Sequence, residues 1–247
     1  MAESRFLQVS GKTELHLQES TVVTLVISGD TEIDYDLRDG RYGILIGRKG
    51  KGALSLKETG VLRNAEVKIT YLELSEEEFS QDTSLEVKEG SSLEIASYYL
   101  VSGKKKVFYD IRNSERHTGT DVVNQAVCLD GSDLFLEVTG SIERGAKGSR
   151  LVQRSRCLSI GKPKRIHAAP ILKIDENDVE AGHALSSGTI DDEILYYMNA
   201  RGLDRRQALS LLIRGYLLPD AELYQEYPHS KELFEETERK VDILCSM

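Results

Sequence analysis

Residues 65–100 read AEVKITYLELSEEEFSQDTSLEVKEGSSLEIASYYL. In the first ten, Val67, Ile69 and Tyr71 fall on one side of a two-residue alternation, and SLEVKEGSSLEIASYYL offers two more such segments. A period of two sends successive side chains to opposite faces of a strand, one buried and one wet. The pattern continues outward in both directions. Upstream, TEIDYDL aligns Ile33, Tyr35 and Leu37; downstream, KVFYDI and DLFLEV follow, the latter aligning Leu134, Leu136 and Val138. Segment centres fall about 10 residues apart, separated by Gly, Asn, Asp and Ser. No helical period of useful length precedes residue 186.

Evenly spaced short strands suit a sandwich, a barrel or a β-helix. No strict internal repeat separates the three. Sparse hairpin chemistry favours the β-helix: there is no Asn-Gly, Asp-Gly occurs only at Asp39-Gly40 and Asp130-Gly131, and the chain has 4 prolines.

The pattern changes after Ser187. Thr189 and Asp192 resemble a capping box, with Asp in the usual place of Glu. Ile190, Ile194, Leu195 and Met198 then recur at helical spacing, and Gly202 suits the position just past a helix end. Asp204 with Gln207 opens a second helix carrying Leu209, Leu212 and Ile213, which runs out near Gly215 and Pro219. A third begins at Ser230, after Pro228, with Leu233, Phe234, Val241 and Leu244 on one stripe. The sequence therefore predicts a β body over 1–187 and a helical segment over 188–247.

Composition sets the class. Apolar residues are 40% and charged residues 30% of 247, ordinary for a globular chain able to bury a sizeable core. The longest apolar run, TVVTLVIS, is strand-length and far short of a membrane helix. The N-terminus lacks the apolar core of a signal peptide, so a cytoplasmic location is expected. A net charge of −9 argues against nucleic acid or an anionic membrane as partner. Cys128, Cys157 and Cys245 are widely spaced and odd in number, which is neither a disulfide framework nor a zinc ribbon.

Residues 178–216, DVEAGHALSSGTIDDEILYYMNARGLDRRQALSLLIRGY, resemble the C-terminal signature of the SufB/SufD family, the scaffold subunits of SUF iron–sulfur cluster assembly. The family pattern there is roughly H-G-A-T-x-G-x-[IL]-D-E-E-Q-[LI]-F-Y-L-x-S-R-G-[LI], closed by G-[FY]. His183, Gly188, Asp191, Asp192, Glu193, Tyr196, Tyr197, Arg201, Gly202, Gly215 and Tyr216 occupy its places. Upstream the likeness is weaker, with His117 and Gln153 in matching positions, and the helical N-terminal region of longer members is not matched.

The resemblance implies a mainly β fold: a right-handed parallel β-helix with a C-terminal α-helical segment. It also implies a non-enzymatic scaffold that dimerises through its β-helix, docks a SufC-like ABC-type ATPase, and carries a transient iron–sulfur cluster at the dimer interface. ATPase contact would fall on Asp191, Asp192, Glu193, Tyr196, Tyr197, Arg201, Gly202 and Tyr216, surfaces that the tail's own packing and the helix dipole would otherwise explain.

Two residues are candidate metal ligands. Val179, Ala181, His183 and Leu185 alternate, which expects His183 on the apolar face of the last strand. A lone histidine there is ordinarily a packed core residue; the resemblance makes it an iron ligand, as neutral imidazole can be. Cys157 lies 26 residues upstream, about one coil of a β-helix, and thiolate is the usual cluster ligand. The family's SufB-type cysteine aligns with Ser155, on the same face as Cys157, and Ala184 replaces the SufB-type Glu, a SufD-like feature. Cys128 is either a buried thiol or a sulfur-receiving one; Cys245 is incidental. A carbohydrate-active β-helix lacks the tryptophans and paired acids such sites need. A metal hydrolase built on His167, His183 and Cys157 lacks ligand spacing. An adaptor that binds the ATPase and holds no cluster is the serious alternative.

Overall fold

The computed structural model describes residues 3–15, 17, 20–217, 227 and 230–244. Eleven strands come first: β1 (Glu3–Leu15), β2 (Thr21–Arg48), β3 (Leu54–Glu73), β4 (Phe79–Val87), β5 (Ser92–Val101), β6 (Lys104–Asn113), β7 (Gly119–Cys128), β8 (Asp133–Ile142), β9 (Arg150–Ser159), β10 (Arg165–Ile174) and β11 (Glu180–Thr189). Three helices follow: α1 (Asp192–Ala200), α2 (Arg205–Leu217) and α3 (Ser230–Leu244). Among the described residues no helix is long and apolar enough to cross a membrane.

Every strand pairing is parallel, and the sheet runs β10-β8-β6-β4-β3-β5-β7-β9-β11. This order describes coils. Even-numbered strands from β4 stack into one wall and odd-numbered strands from β5 into another. The long β3 bends between them: Leu54–Leu62 pairs with β4 and Glu66–Glu73 with β5. The expectation of a parallel β-helix followed by a helical segment is met.

Along one corner of the stack each bend holds a residue in the left-handed region. Asp39, Asn64, Gly90, His117 and Gly148 all have φ between 50° and 74°, and they occupy equivalent corners of successive coils. Gly, Asn and Asp reach this region most cheaply. Asn64 Nδ2 also donates to Asp39 Oδ1 at 2.8 Å across 25 residues. The corner-to-corner step grows from 25 residues there to 31 between His117 and Gly148. No fixed repeat is visible in the sequence because the period drifts and only the corner conformation recurs.

Between the walls lies the core. Ile33, Tyr35, Leu37, Val67, Ile69, Tyr71, Leu134, Leu136 and Val138, the alternating residues of the sequence, are all buried there. A buried Leu, Ile or Val contributes roughly 1.5–3 kcal/mol. Polar groups interrupt this core. The Glu58 carboxylate accepts hydrogen bonds from the hydroxyls of Tyr35 (2.6 Å), Tyr71 (2.7 Å) and Thr83 (2.8 Å). Thr83 accepts from Gln81 Nε2, which also donates to Tyr109; Tyr109 meets Ser97 and Tyr99. Burial raises the Glu58 carboxyl above its usual range, and the three hydroxyls pull it back. At the opposite corner of the lumen, Lys105 Nζ lies 2.7 Å from Glu73 Oε1, both buried, with Arg48 Nη1 3.9 Å from the same oxygen.

The helical segment lies on the outer face of the odd-strand wall. Ile213, Leu217, Phe234 and Val241 share a second core with Leu45, Leu72, Leu100 and Val127. The expected boundary at 187/188 falls inside β11, which runs to Thr189. The cap of α1 also differs from expectation. Asp191 is the N-cap residue, accepting from Glu193 N, because β11 holds Thr189 extended. The later signals are realised: Gly202 has φ 91°, and Leu203 N and Gly202 N bond back to Met198 O and Asn199 O. Asp204 and Gln207 exchange side-chain-to-backbone bonds before α2. Pro219 and Pro228 lie outside the described residues, as does Cys245.

Candidate functional site: the open end of the coil stack

Parallel register converts the stack into columns of inward-facing residues. On the odd-strand wall these are Ile69–Ile95–Val122–Gln153–His183, Tyr71–Ser97–Asn124–Ser155–Leu185, and Glu73–Tyr99–Ala126–Cys157–Ser187. One pair beyond the last of these, Cys128 stands beside Ser159. At β9 each column holds a small or polar residue, Gln153, Ser155 or Cys157. The even wall ends in Ile166, Ala168, Pro170, Leu172 and Ile174 of β10, only half-buried or exposed.

His183 therefore points where the alternation put it, along the inner face, yet it is exposed. So are Ala181, Leu185 (44%) and Ser187. Expectation and structure differ for one reason: β10 and β11 end the sheet, so the inner face of the final coil has no coil beyond it. The predicted apolar face exists and is uncovered.

Cys157 is 2% exposed and Cys128 fully buried. Burial pushes the Cys128 thiol up to about 12, with the neighbouring Cys157 adding to it, and burial alone pushes Cys157 up to about 11. Both are protonated at neutral pH until a metal or electrophile displaces the proton. The last coil spans 30 residues, not the 26 that would place His183 over Cys157. Ser187 lies over Cys157 and His183 over Gln153. His183 and Cys157 are thus four positions apart along adjacent strands, about 13 Å at 3.3 Å per residue. Among the described residues, no group of three His, Cys, Asp or Glu gathers at one point. His167 is on the outer face, stacked on Phe135 at 4.3 Å, away from both.

Sequence reasoning named Gln153 and Ser155 only as family-matched positions and passed over Asn124, so the buried polar lining that the three make was not foreseen. Asn124 Nδ2 donates to Ser155 Oγ at 3.3 Å, and Gln153 Nε2 to Ile171 O at 3.3 Å. Asn124 Oδ1 and Gln153 Oε1 are buried with no protein partner. The signal was available: Asn124, Gln153 and Ser155 fall at apolar places in the alternation of their strands.

The second surface is the exposed side of the helical segment. Tyr196 is 77% and Tyr197 57% exposed, and Ile194 and Leu211 are exposed beside them. Arg201 lies over the Tyr197 ring at 4.6 Å. Asp191, Asp192 and Glu193 are exposed at the start of α1; Tyr216 is half-buried against the odd wall with Arg156 nearby.

A parallel coil stack with an uncovered end, a thiol-bearing lumen and a docked helical segment defines a parallel β-helix protein. Residues 41–216 match the model for "SUF system FeS cluster assembly, SufBD core domain", and the chain belongs to that family. It is 38% identical over 120 residues to the iron-sulfur cluster assembly protein SufD of Bacillus subtilis, a match spanning 49% of this chain and 28% of that protein. A SufBD family protein of Mycobacterium tuberculosis is 29% identical over 112 residues, spanning 45% of this chain and 13% of its own length. Another from Mycobacterium leprae is 38% identical over 72 residues, spanning 29% and 18%. The matched stretches thus span less than a third of these curated relatives. The expected family is found.

Proposed function

We propose that this chain is a non-enzymatic scaffold on which an iron–sulfur cluster is assembled as cargo, working as a homodimer with a SufC-like ABC-type ATPase. The observation that carries the proposal is the uncovered final coil. Its inner columns end in exposed His183, Leu185 and Ser187, and β10 and β11 each pair on one side only. Free strand edges and an exposed apolar inner face are what a second copy would cover. Pairing end to end would bring two His183 side chains to one interface. Cys157 would be reached through the column that Ser187 ends, and Cys128 lies beyond it as a sulfur-receiving thiol. Thiolate and imidazole are ligands that iron–sulfur chemistry uses.

The ATPase reading rests on the exposed Tyr196, Tyr197 and Leu211 beside Asp191–Glu193 and Arg201. Because α2 shares a core with Leu100 and Val127, a partner pulling on α1 and α2 would load the odd-strand wall directly. Crosslinks between residues 191–216 and the ATPase should strengthen with ATP. Their absence in both nucleotide states would remove this mechanism. A cytoplasmic location accompanies the proposal.

The adaptor reading keeps one specific support: among the described residues no three ligands converge in a single chain. Iron and acid-labile sulfide per chain after anaerobic reconstitution separate the two. Near-stoichiometric iron and sulfide, lost in His183→Ala or Cys157→Ser, would establish the scaffold. A wild type that retains neither would leave the adaptor.

A further inference from the structure

Cys128 and Cys157 are inward-facing neighbours on adjacent strands. Register sets Cys128 beside Ser159 and Cys157 beside Ala126, so the two are diagonal, offset by two residues. Strands about 4.8 Å apart, with a rise of about 3.3 Å per residue, place their Cα atoms roughly 8 Å apart. That exceeds the ~7 Å beyond which a disulfide cannot close without backbone movement. It suits two sulfurs leaning onto one ion, since two metal–sulfur bonds of about 2.3 Å span 4–5 Å. Among the described residues no third side-chain ligand of the His, Cys, Asp or Glu type gathers with them, so a four-coordinate zinc cage is not built there. Two thiolates alone match a soft monovalent ion of low coordination number.

Two independent features point to a ligand in this part of the lumen. Asn124, diagonal to Cys157 by the same two-residue offset as Cys128, has its Oδ1 buried without a protein partner; Gln153 Oε1, also without one, lies further along the same inner face. The columns that cover the thiols also end in small hydroxyl residues: Ser187 over Cys157, and Ser159 then Thr189 over Cys128. These lead to the open end of the stack.

We propose that Cys128 and Cys157 form a luminal two-thiolate site for Cu(I). Loading breaks two S–H bonds, forms two S–Cu bonds and releases two protons to solvent. The copper arrives and remains as Cu(I), so no electron is transferred. The site shares Cys157 with the proposed cluster function but does not rest on it. Copper held there would take that thiol out of cluster assembly.

The test is anaerobic titration of the full chain, with Cys245→Ser as background, against Cu(I) held by bicinchoninate. One Cu(I) per chain should transfer, with ultraviolet thiolate-to-copper absorption. Transfer should be lost in both Cys128→Ser and Cys157→Ser and kept in His183→Ala. Alkylation mass spectrometry on the protein with both thiols intact avoids any folding defect of the variants; Cu(I) should protect the Cys128 and Cys157 peptides together. Transfer that survives in either single variant, protection of only one peptide, or no competition with the chelator would overturn the proposal. Iron and sulfide retention is read separately, so either idea can fail while the other stands.

Discussion

The first coils and the last coil share one column geometry and differ only in what lies above them. In the early lumen, Glu58 is enclosed by Tyr35, Tyr71 and Thr83, and Lys105 by Glu73 and two backbone carbonyls. In the last coil, the equivalent columns end in His183 and Leu185, both exposed. Burial here is thus set by position in the stack more than by residue type. A polar group inside the stack must bring its partners with it, whereas one at the end can wait for another molecule.

The largest way to break this comparison uses charge. Lys105→Ala would leave Glu73 buried without its 2.7 Å partner and should cost about 3–5 kcal/mol in urea unfolding. Glu180→Ala removes the exposed 3.3 Å partner of Arg150 and should fall within measurement error. Comparable losses in the two variants would show that the early lumen is no drier than the outer surface.

A leucine pair sharpens the same contrast. Leu62→Ala, in the enclosed β3 column, should destabilise by about 2–5 kcal/mol. Leu185→Ala should cost the isolated monomer less than about 0.5 kcal/mol. If the final coil pairs with a second copy, the Leu185 variant should instead shift the sedimentation equilibrium towards monomer. An unchanged equilibrium, in a wild type that does dimerise, would move the interface elsewhere.

The smallest expected effect is a pH dependence. Glu58 has its folded pKa raised by burial above the ordinary glutamate value of 4.5. The folded state therefore binds this proton more tightly than the unfolded chain does. The stability contributed here is greatest below the unfolded value and declines as pH rises through the raised one. Glu58→Gln should flatten that decline between about pH 4.5 and neutrality, read as urea midpoints against pH. A variant that declines as steeply as the wild type would assign the effect to another group.

Much of this molecule was legible in its sequence. Alternation at Ile33–Leu37, Val67–Tyr71 and Leu134–Val138 identified strands because each wall has one wet face, and that demands a period of two. The helix signals at Gly202, Asp204 and Gln207 were readable because caps are local chemistry. Thr189 misled because strand pairing with Ser159 outweighed its capping tendency. The site was half legible. The motif singled out His183, and thiolate chemistry with spacing singled out Cys157, but their relation depended on a coil of 30 residues, which only the register reveals. Glu58, Asn124 and Gln153 broke the apolar alternation visibly, yet nothing local says which other column a buried polar group faces.

The corner residues carry one further consequence. Because Asp39, Asn64, Gly90, His117 and Gly148 each reset the chain direction with a single left-handed step, residues can be added at a bend without turning the walls inside out. The circumference of the solenoid is thus adjustable one residue at a time, while the facing of every side chain is conserved. Such a chain can lengthen its coils from 25 to 31 residues, as this one does, and keep its columns in line.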